Sequence, residues 1–328
     1  MKADKIKIGV LGAANIAVKS VIPAIKELPD SFELVGIASR KLKKSEEAAA
    51  LFETQAFDNY DSLLQKKLID AVYLPLPNSL HYKWVKKALD NGIHVLVEKS
   101  LACNLSEAKE LNELARSNDL TLVENFQFRF HSQLAFIKKQ LESDKIGDLR
   151  CVRSSFGFPP FSDENNIRYK NELGGGALLD AGAYPTKIAQ IFLGPSLKVT
   201  AANLSYDKTR AVDIWGGAYL KQKSGNLFAE IAFGFDNFYQ CNLELWGSKG
   251  KIYTNRIFTA PPNYSPEIVI ETDSGKEVVQ LEPDHHFKNM LLHFFETIRT
   301  GAKKHLEYEQ NINQARLLEE IKHKANEQ

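Results

Sequence analysis

The sequence predicts an α/β chain of two domains, a doubly wound parallel sheet followed by an α+β domain with a large, mostly antiparallel open sheet. Three observations carry this reading. The 328 residues exceed what one core usually organises. The first part alternates short apolar runs with amphipathic stretches. The later part sets strand-like runs one after another across short turns.

In the first part the apolar runs are Ile6–Leu11, Phe32–Ala38, Ala71–Leu74, His94–Val97 and Leu120–Val123. Helix-like stretches Lys43–Phe52, Leu80–Asp90 and Leu105–Arg116 lie between them. Such alternation implies right-handed crossovers and helices on both sheet faces. From about residue 147 the runs are Leu197–Tyr206, Asp213–Lys221, Phe228–Phe235, Tyr239–Trp246 and Lys251–Tyr253, with turns at 223–226 and 247–250. A helix over Ala177–Leu193 comes before them, and helices near His286–Thr300 and Gln310–Lys324 close the chain. The expected domains are residues 1–125 and 126–328, with the final helices packing back on the first domain.

A net charge of +1 gives no electrostatic reason to expect nucleic acid or an anionic membrane as partner. No apolar run is long enough to span a bilayer. The polar opening Met1–Lys7 runs into a short strand, unlike a signal peptide. Cys103, Cys151 and Cys241 are isolated and odd in number, which points to a reducing, cytoplasmic setting.

The segment from Ile6 to Ala17 reads as strand, tight turn and helix start. Gly12 permits the turn, and the backbone N–H groups around Ala14, Asn15 and Ile16 then face a pyrophosphate at the helix N-terminus. Ala14 and Ala17 stand where a full dinucleotide fingerprint has its second and third glycines. The second strand ends Ala38-Ser39-Arg40-Lys41 and has no acid there. NAD-selective sites carry an acid for the ribose 2′-hydroxyl at that place, whereas a hydroxyl and two cations suit a 2′-phosphate. The expected cofactor is therefore NADP(H) rather than NAD(H), in a Rossmann domain.

Two more segments carry chemistry. Val97-Glu98-Lys99-Ser100 places a lysine just past a parallel strand, in the ligand-binding crevice. Gly174-Gly175-Gly176 leads into a helix on which Asp180 and Tyr184 share a face, and the glycines allow that helix end close approach to a ligand.

With Gly12, Pro77-Asn78-Ser79-Leu80-His81, Glu98-Lys99-Ser100, Phe128-Arg129-Phe130-His131 and Gly174–Tyr184 in this order, the chain resembles the glucose–fructose oxidoreductase / inositol dehydrogenase (Gfo/Idh/MocA) family over nearly its whole length. The resemblance implies that Lys99 and Tyr184 belong to the catalytic centre and that Asp180 positions a sugar. It also implies that Leu76, Pro77, Asn78, His81, Glu98 and Lys99 border the cofactor. The chain departs from many relatives in Ser100 for proline, Tyr184 for histidine, and Lys187 where an acid is common. The implied reaction moves hydride from nicotinamide to a ketone carbon while a hydroxyl donor and a cation serve the oxygen. Tyr184 or Lys99 gives the proton; each unit by which Lys99 lowers the Tyr184 pKa is about 1.4 kcal/mol.

Phe235–Gln240, Leu245–Gly250 and Asn255–Pro262 look like the branch that reduces 3-keto groups on nucleotide-linked deoxysugars. Arg168, Tyr169 and Arg256 are placed to meet phosphates, and Tyr239 to stack on a base or sugar. His81 and Trp84 are expected to line the crevice, and His94 to be a satisfied core histidine. His81, His131 and His285-His286 match no metal-ligand spacing. Two alternatives stand beside this reading: a dehydrogenase of a free sugar, cyclitol or trans-diol, and a catalytically silent dinucleotide-sensing regulator. The open sheet face is expected to be covered in a homodimer or homotetramer.

Overall fold

The computed structural model describes residues 4–327. The opening residues 1–3 of the polar N-terminal run and the closing Gln328 lie outside that range. Contacts divide the chain into two compact units. The first runs through Phe126 and includes Phe287–Ile312; the second comprises Gln127–His286 and the chain from Asn313 onward.

The first unit is built on β1 (Ile6–Leu11), β2 (Phe32–Ala38), β3 (Gln55–Phe57), β4 (Ala71–Leu74), β5 (His94–Glu98) and β6 (Leu122–Asn125). Their order is β3-β2-β1-β4-β5-β6, with every pair parallel. The order reverses between β1 and β4, and at such a switch point the strand ends diverge into a ligand crevice. Ile8, Val10, Val72, Tyr73, Val95, Leu96 and Val97 are wholly buried, as the unbroken apolar runs require of a sheet covered on both faces. The intervening helices are α1 (Ile22–Lys26), α2 (Leu42–Phe52), α3 (Tyr60–Leu63), α4 (Asn78–Asp90) and α5 (Leu105–Ser117). Helix α4 starts at Asn78, two residues before the expected Leu80, because Pro77 stands at its cap and cannot continue a helix backward. The short β3 and α3 have no counterpart among the expected elements. His94 accepts from Thr121 N–H at 2.9 Å, satisfied as expected, but it is half-buried at the start of β5 rather than in the core.

The second unit contains α6 (Ser132–Glu142), β7 (Leu149–Gly157), α7 (Ala183–Leu193) and strands β8 (Leu197–Tyr206), β9 (Asp213–Gln222), β10 (Phe228–Gly234), β11 (Gln240–Gly247), β12 (Gly250–Asn255), β13 (Glu267–Thr272) and β14 (Gly275–Gln280). The eight strands run β14-β13-β12-β11-β7-β10-β9-β8. One pair breaks the antiparallel rule: β7 lies parallel to β10. Burial alternates along β10 and β11, so one face is covered and one is open. Helix α8 (His286–Thr300) begins and ends as expected, whereas α9 spans Lys304–Asn326, starting ahead of the expected Gln310. Phe258 is wholly buried, but Trp246 is half exposed on the open face.

Among the described residues no helix is long and apolar enough to cross a membrane, and no group of three or more His, Cys, Asp or Glu side chains is arranged to hold a metal ion.

Candidate active site

In the first unit the predicted residues gather at the carboxyl ends of β1, β2, β4 and β5. Gly12 has φ +117°, a conformation that L side chains avoid, and its N–H donates to Ala38 O at 2.8 Å. A Cβ on Gly12 would stand 2.9 Å from Leu76 Cδ2, so the glycine lets the β1 turn and the β4 loop close together. Ala14, Asn15 and Ile16 open the helix that follows, which is π-wound over Ala17–Val21 before becoming α1. A first turn leaves its N–H groups without intrahelical acceptors, and this is what a pyrophosphate needs.

Ser39 is buried at the end of β2, while Arg40 and Lys41 are exposed beyond it. Arg40 donates to the Tyr60 hydroxyl from both backbone and side chain, and burial raises the pKa of that phenol. Tyr60 packs edge-on against Trp84 at 4.8 Å. Tyr60 is absent from the expected site residues, since it lies in a four-residue helix without a motif.

Glu98 closes β5 and its Oε1 accepts from Tyr73 Oη at 2.6 Å and Asn125 Nδ2 at 2.7 Å. This network crosses β4, β5 and β6 and braces the strand ends. Lys99 follows, half-buried, and its peptide bond to Ser100 is cis. Glu124 Oε1 holds the next turn through Leu101 N–H at 2.9 Å. His81, expected to line the crevice beside the cofactor, is instead wholly buried, with both ring nitrogens against main-chain oxygens. It has no nitrogen left for a ligand. Burial, and secondarily the Lys99 cation, push its imidazole down to about 4.

In the second unit, Asp180 lies in a π-wound turn, Leu178–Gly182, that leads into α7, and Tyr184 stands in the first turn of α7. The Tyr184 ring, 9% exposed, packs against Phe156, Phe258 and Phe128 at 5.0, 5.4 and 5.8 Å. Three phenylalanines therefore fix its direction. Arg168 Nε donates to Asp180 Oδ2 at 2.5 Å, and Asp180 first, then burial and Tyr184 among further influences, shape an arginine pKa that is raised. Arg168 is thus committed to Asp180 rather than waiting for phosphate.

Tyr169 is also corrected: it is buried, and its hydroxyl accepts from Phe161 N–H at 3.0 Å, holding the loop after β7. Arg210 covers its ring at 4.3 Å. The glycine run has a different use from the expected close approach to a ligand. A Cβ on Gly175 would meet Arg168 O at 2.5 Å, and one on Gly176 would meet Asp213 Oδ1 at 2.2 Å. Asp213, from the start of β9, accepts from Leu178 N–H at 2.5 Å and occupies the helix entrance. Burial raises its pKa, and main-chain N–H donors, that of Leu178 foremost, oppose that rise. The glycines make room for the protein's own chain.

Tyr239 and Arg256 do come together. The Arg256 guanidinium lies 5.8 Å from the Tyr239 ring and 5.7 Å from Tyr264, and Arg256 has φ 55°. Tyr239 Oη is 3.0 Å from Thr259 Oγ1, and burial raises its pKa. Tyr264 and Asp213 carry no signal in the sequence beyond their residue types.

The chain matches the GFO_IDH_MocA family model, described as an oxidoreductase family with an NAD-binding Rossmann fold, over residues 6–126, and the GFO/IDH/MocA C-terminal domain model over residues 134–253. It is 37% identical to a dTDP-3,4-didehydro-2,6-dideoxy-alpha-D-glucose 3-reductase of Streptomyces antibioticus, covering 98% of this chain and 97% of that protein. A protein of the same description from Actinomadura kijaniata is 35% identical over 98% of this chain and 96% of its own length. Among solved structures, KijD10, a 3-ketoreductase from Actinomadura kijaniata in complex with NADP and TDP-benzene, superposes with a TM-score of 0.94 at 34% identity, covering 98% of both chains.

Proposed function

The chain belongs to the Gfo/Idh/MocA oxidoreductase family, and we propose that within it the protein is an NADPH-dependent reductase of the 3-keto group on a nucleotide-linked deoxysugar. The observation that carries this is likeness over essentially the full length of proteins so described, at 37% identity.

NADPH, when bound, supplies the hydride that becomes the new C–H bond. The Gly12 turn and the N–H groups of Ala14, Asn15 and Ile16 hold its pyrophosphate; Leu76, Pro77 and Asn78 border it. Ser39, Arg40 and Lys41 receive the 2′-phosphate, and the cradle at Gly12 that a Cβ would fill supports the fit. Tyr184 gives its Oη proton to the carbonyl oxygen as that oxygen gains charge, and the Lys99 ammonium stabilises the charge. Asp180, fixed by Arg168, accepts from a sugar hydroxyl. Arg256 meets the diphosphate and Tyr239 stacks on the base or sugar. One ketone, one hydride and one proton give one alcohol.

We place this enzyme in the cytoplasm, supported by three free cysteines, two of them buried. A homodimer or homotetramer forms through the open sheet face, which presents Arg153 over Trp246 at 4.9 Å and Tyr219 stacked on Phe228 at 5.1 Å. Light scattering tests the assembly, and a monomer in solution counts against it.

The activity is tested by mixing purified protein, NADPH and a dTDP-linked 3-keto-2,6-dideoxysugar, then following nicotinamide absorbance and the product alcohol. Oxidation of free sugars with NADP, and no reaction with nucleotide ketosugars, would replace this reading.

A further inference from the structure

The buried His81 stands between two loops. Its Nδ1 is 2.7 Å from Ser100 O, in the loop after β5, and its Nε2 is 2.7 Å from Leu76 O, in the loop after β4. Leu76 in turn presses its side chain under the Gly12 turn. Ser100 is the neighbour of Lys99, whose charge reaches the ring. One rigid five-membered ring therefore links the pyrophosphate turn, the β4 loop and the lysine loop, all within the first unit.

We propose that His81 is a positioning residue for Lys99, a strut of fixed length that sets where the lysine loop stands relative to the Gly12 turn. The inference rests on the role given above to Lys99. A planar ring with polar atoms on both sides suits this place. An aliphatic side chain of similar size removes the ring's N–H donor as well as the planar spacer between the two carbonyls, and an amide restores a donor without the span of the ring. A neutral ring gives its single N–H to one carbonyl, and a second proton would serve the other. Burial and Lys99 both oppose that proton. The site thus holds a histidine for its shape and its donor, in a place closed to ligands.

The test compares His81→Leu, which keeps volume, with His81→Gln, which keeps a donor. A misplacement near 1 Å costs about 100-fold in rate, so His81→Leu is expected to lower kcat by about 30-fold or more. The Kd for NADPH, read by fluorescence without turnover, is expected to stay within about 3-fold, because the Gly12 turn keeps its own hydrogen bond to Ala38 O and Arg40 its bonds to Tyr60. His81→Gln is expected to recover part of kcat. Unchanged kcat in folded His81→Leu overturns the inference. So does a parallel fall of kcat, NADPH affinity and Tm in both variants, which marks a merely structural brace. Lys99→Ala is the control: if it keeps full turnover, the role of Lys99 fails, whereas loss with Lys99→Ala and none with His81→Leu sinks the strut alone.

Discussion

Arg168 and Asp180 form one unit of charge, Nε to Oδ2 at 2.5 Å, at the entrance to the helix that carries Tyr184. By residue type alone, each reads as an independent ligand for substrate. Paired, they fix the direction of the Asp180 carboxylate by a guanidinium that itself lies over Phe161 at 4.9 Å, and under the proposed function that carboxylate accepts from a sugar hydroxyl. Arg168→Ala and Asp180→Asn should therefore each lower kcat/KM, and the double variant should lose less than their sum. A double-mutant cycle on kcat/KM should give a coupling of about 1–2 kcal/mol. Strict additivity would show that the two side chains act separately.

Tyr184→Phe keeps the ring among Phe128, Phe156 and Phe258 and removes only the hydroxyl. We expect kcat to fall by about 100-fold or more with little change in KM, the pattern for a group used only in the transition state. Retained kcat would hand the proton to Lys99.

Arg40→Ala should weaken NADPH by about 10-fold or more and leave NADH nearly unchanged, since a guanidinium–phosphate contact is lost only with the former. Tyr60→Phe should move NADPH in the same direction by less, because it releases Arg40 without removing it. Equal losses for both cofactors would mean that the 2′-phosphate is read elsewhere.

Much of the fold and part of the site are legible in the amino-acid order. The strand β4 is a continuous apolar run, and β1 and β2 are apolar runs broken only by the exposed Lys7 and Glu33; their limits follow from the turn residues around them. The position of Gly12 follows from the one conformation that only glycine adopts easily. Other features depend on partners distant in the chain. Gly174–Gly176 has the look of a ligand approach because nothing in the local sequence says that Asp213, from another strand, fills the space. His81 has the look of a crevice residue because burial is a property of packing, and the carbonyls of Leu76 and Ser100 are not side chains that a sequence displays. The strand β14 is mostly exposed, without the apolar alternation that marks a half-buried strand, whereas its partner β13 does carry a short apolar run, Ile268-Val269-Ile270, that marks a buried strand.

Gly176→Ala tests the corrected reading of the glycine run. With φ +109° and Asp213 Oδ1 in the space a methyl needs, the substitution should destabilise the protein by about 2 kcal/mol or more in urea unfolding. A neutral effect would show that the Asp213 contact with the helix entrance is dispensable.

Acid should destabilise the fold through His94. Burial, with Lys66 and Lys304, lowers its pKa to about 4, and Nδ1 accepts from Thr121 N–H. The folded form then binds the proton less readily than the unfolded chain, whose histidine titrates near 6.5. Its contribution is complete above about pH 6.5 and declines as pH falls toward about 4, with a limiting slope of about 1.4 kcal/mol per pH unit. His94→Asn keeps an acceptor for Thr121 and cannot titrate, so the urea stability curve of that variant should be flatter across this window. An unchanged slope would assign the acid sensitivity to other groups.

The parallel pairing of β7 with β10 has a consequence for how the chain is made. Strand β7 is synthesised early but sits in the middle of its sheet, between β10 and β11, and its hydrogen-bonding edges are completed only when residues up to Gly247 have left the ribosome. Until then a strand with buried Cys151, Val152 and Phe156 waits unpaired, the arrangement that makes non-local sheets slow to assemble and open to aggregation. Nascent chains arrested before β10 should therefore engage chaperones through β7, and those arrested after β11 should let go of them.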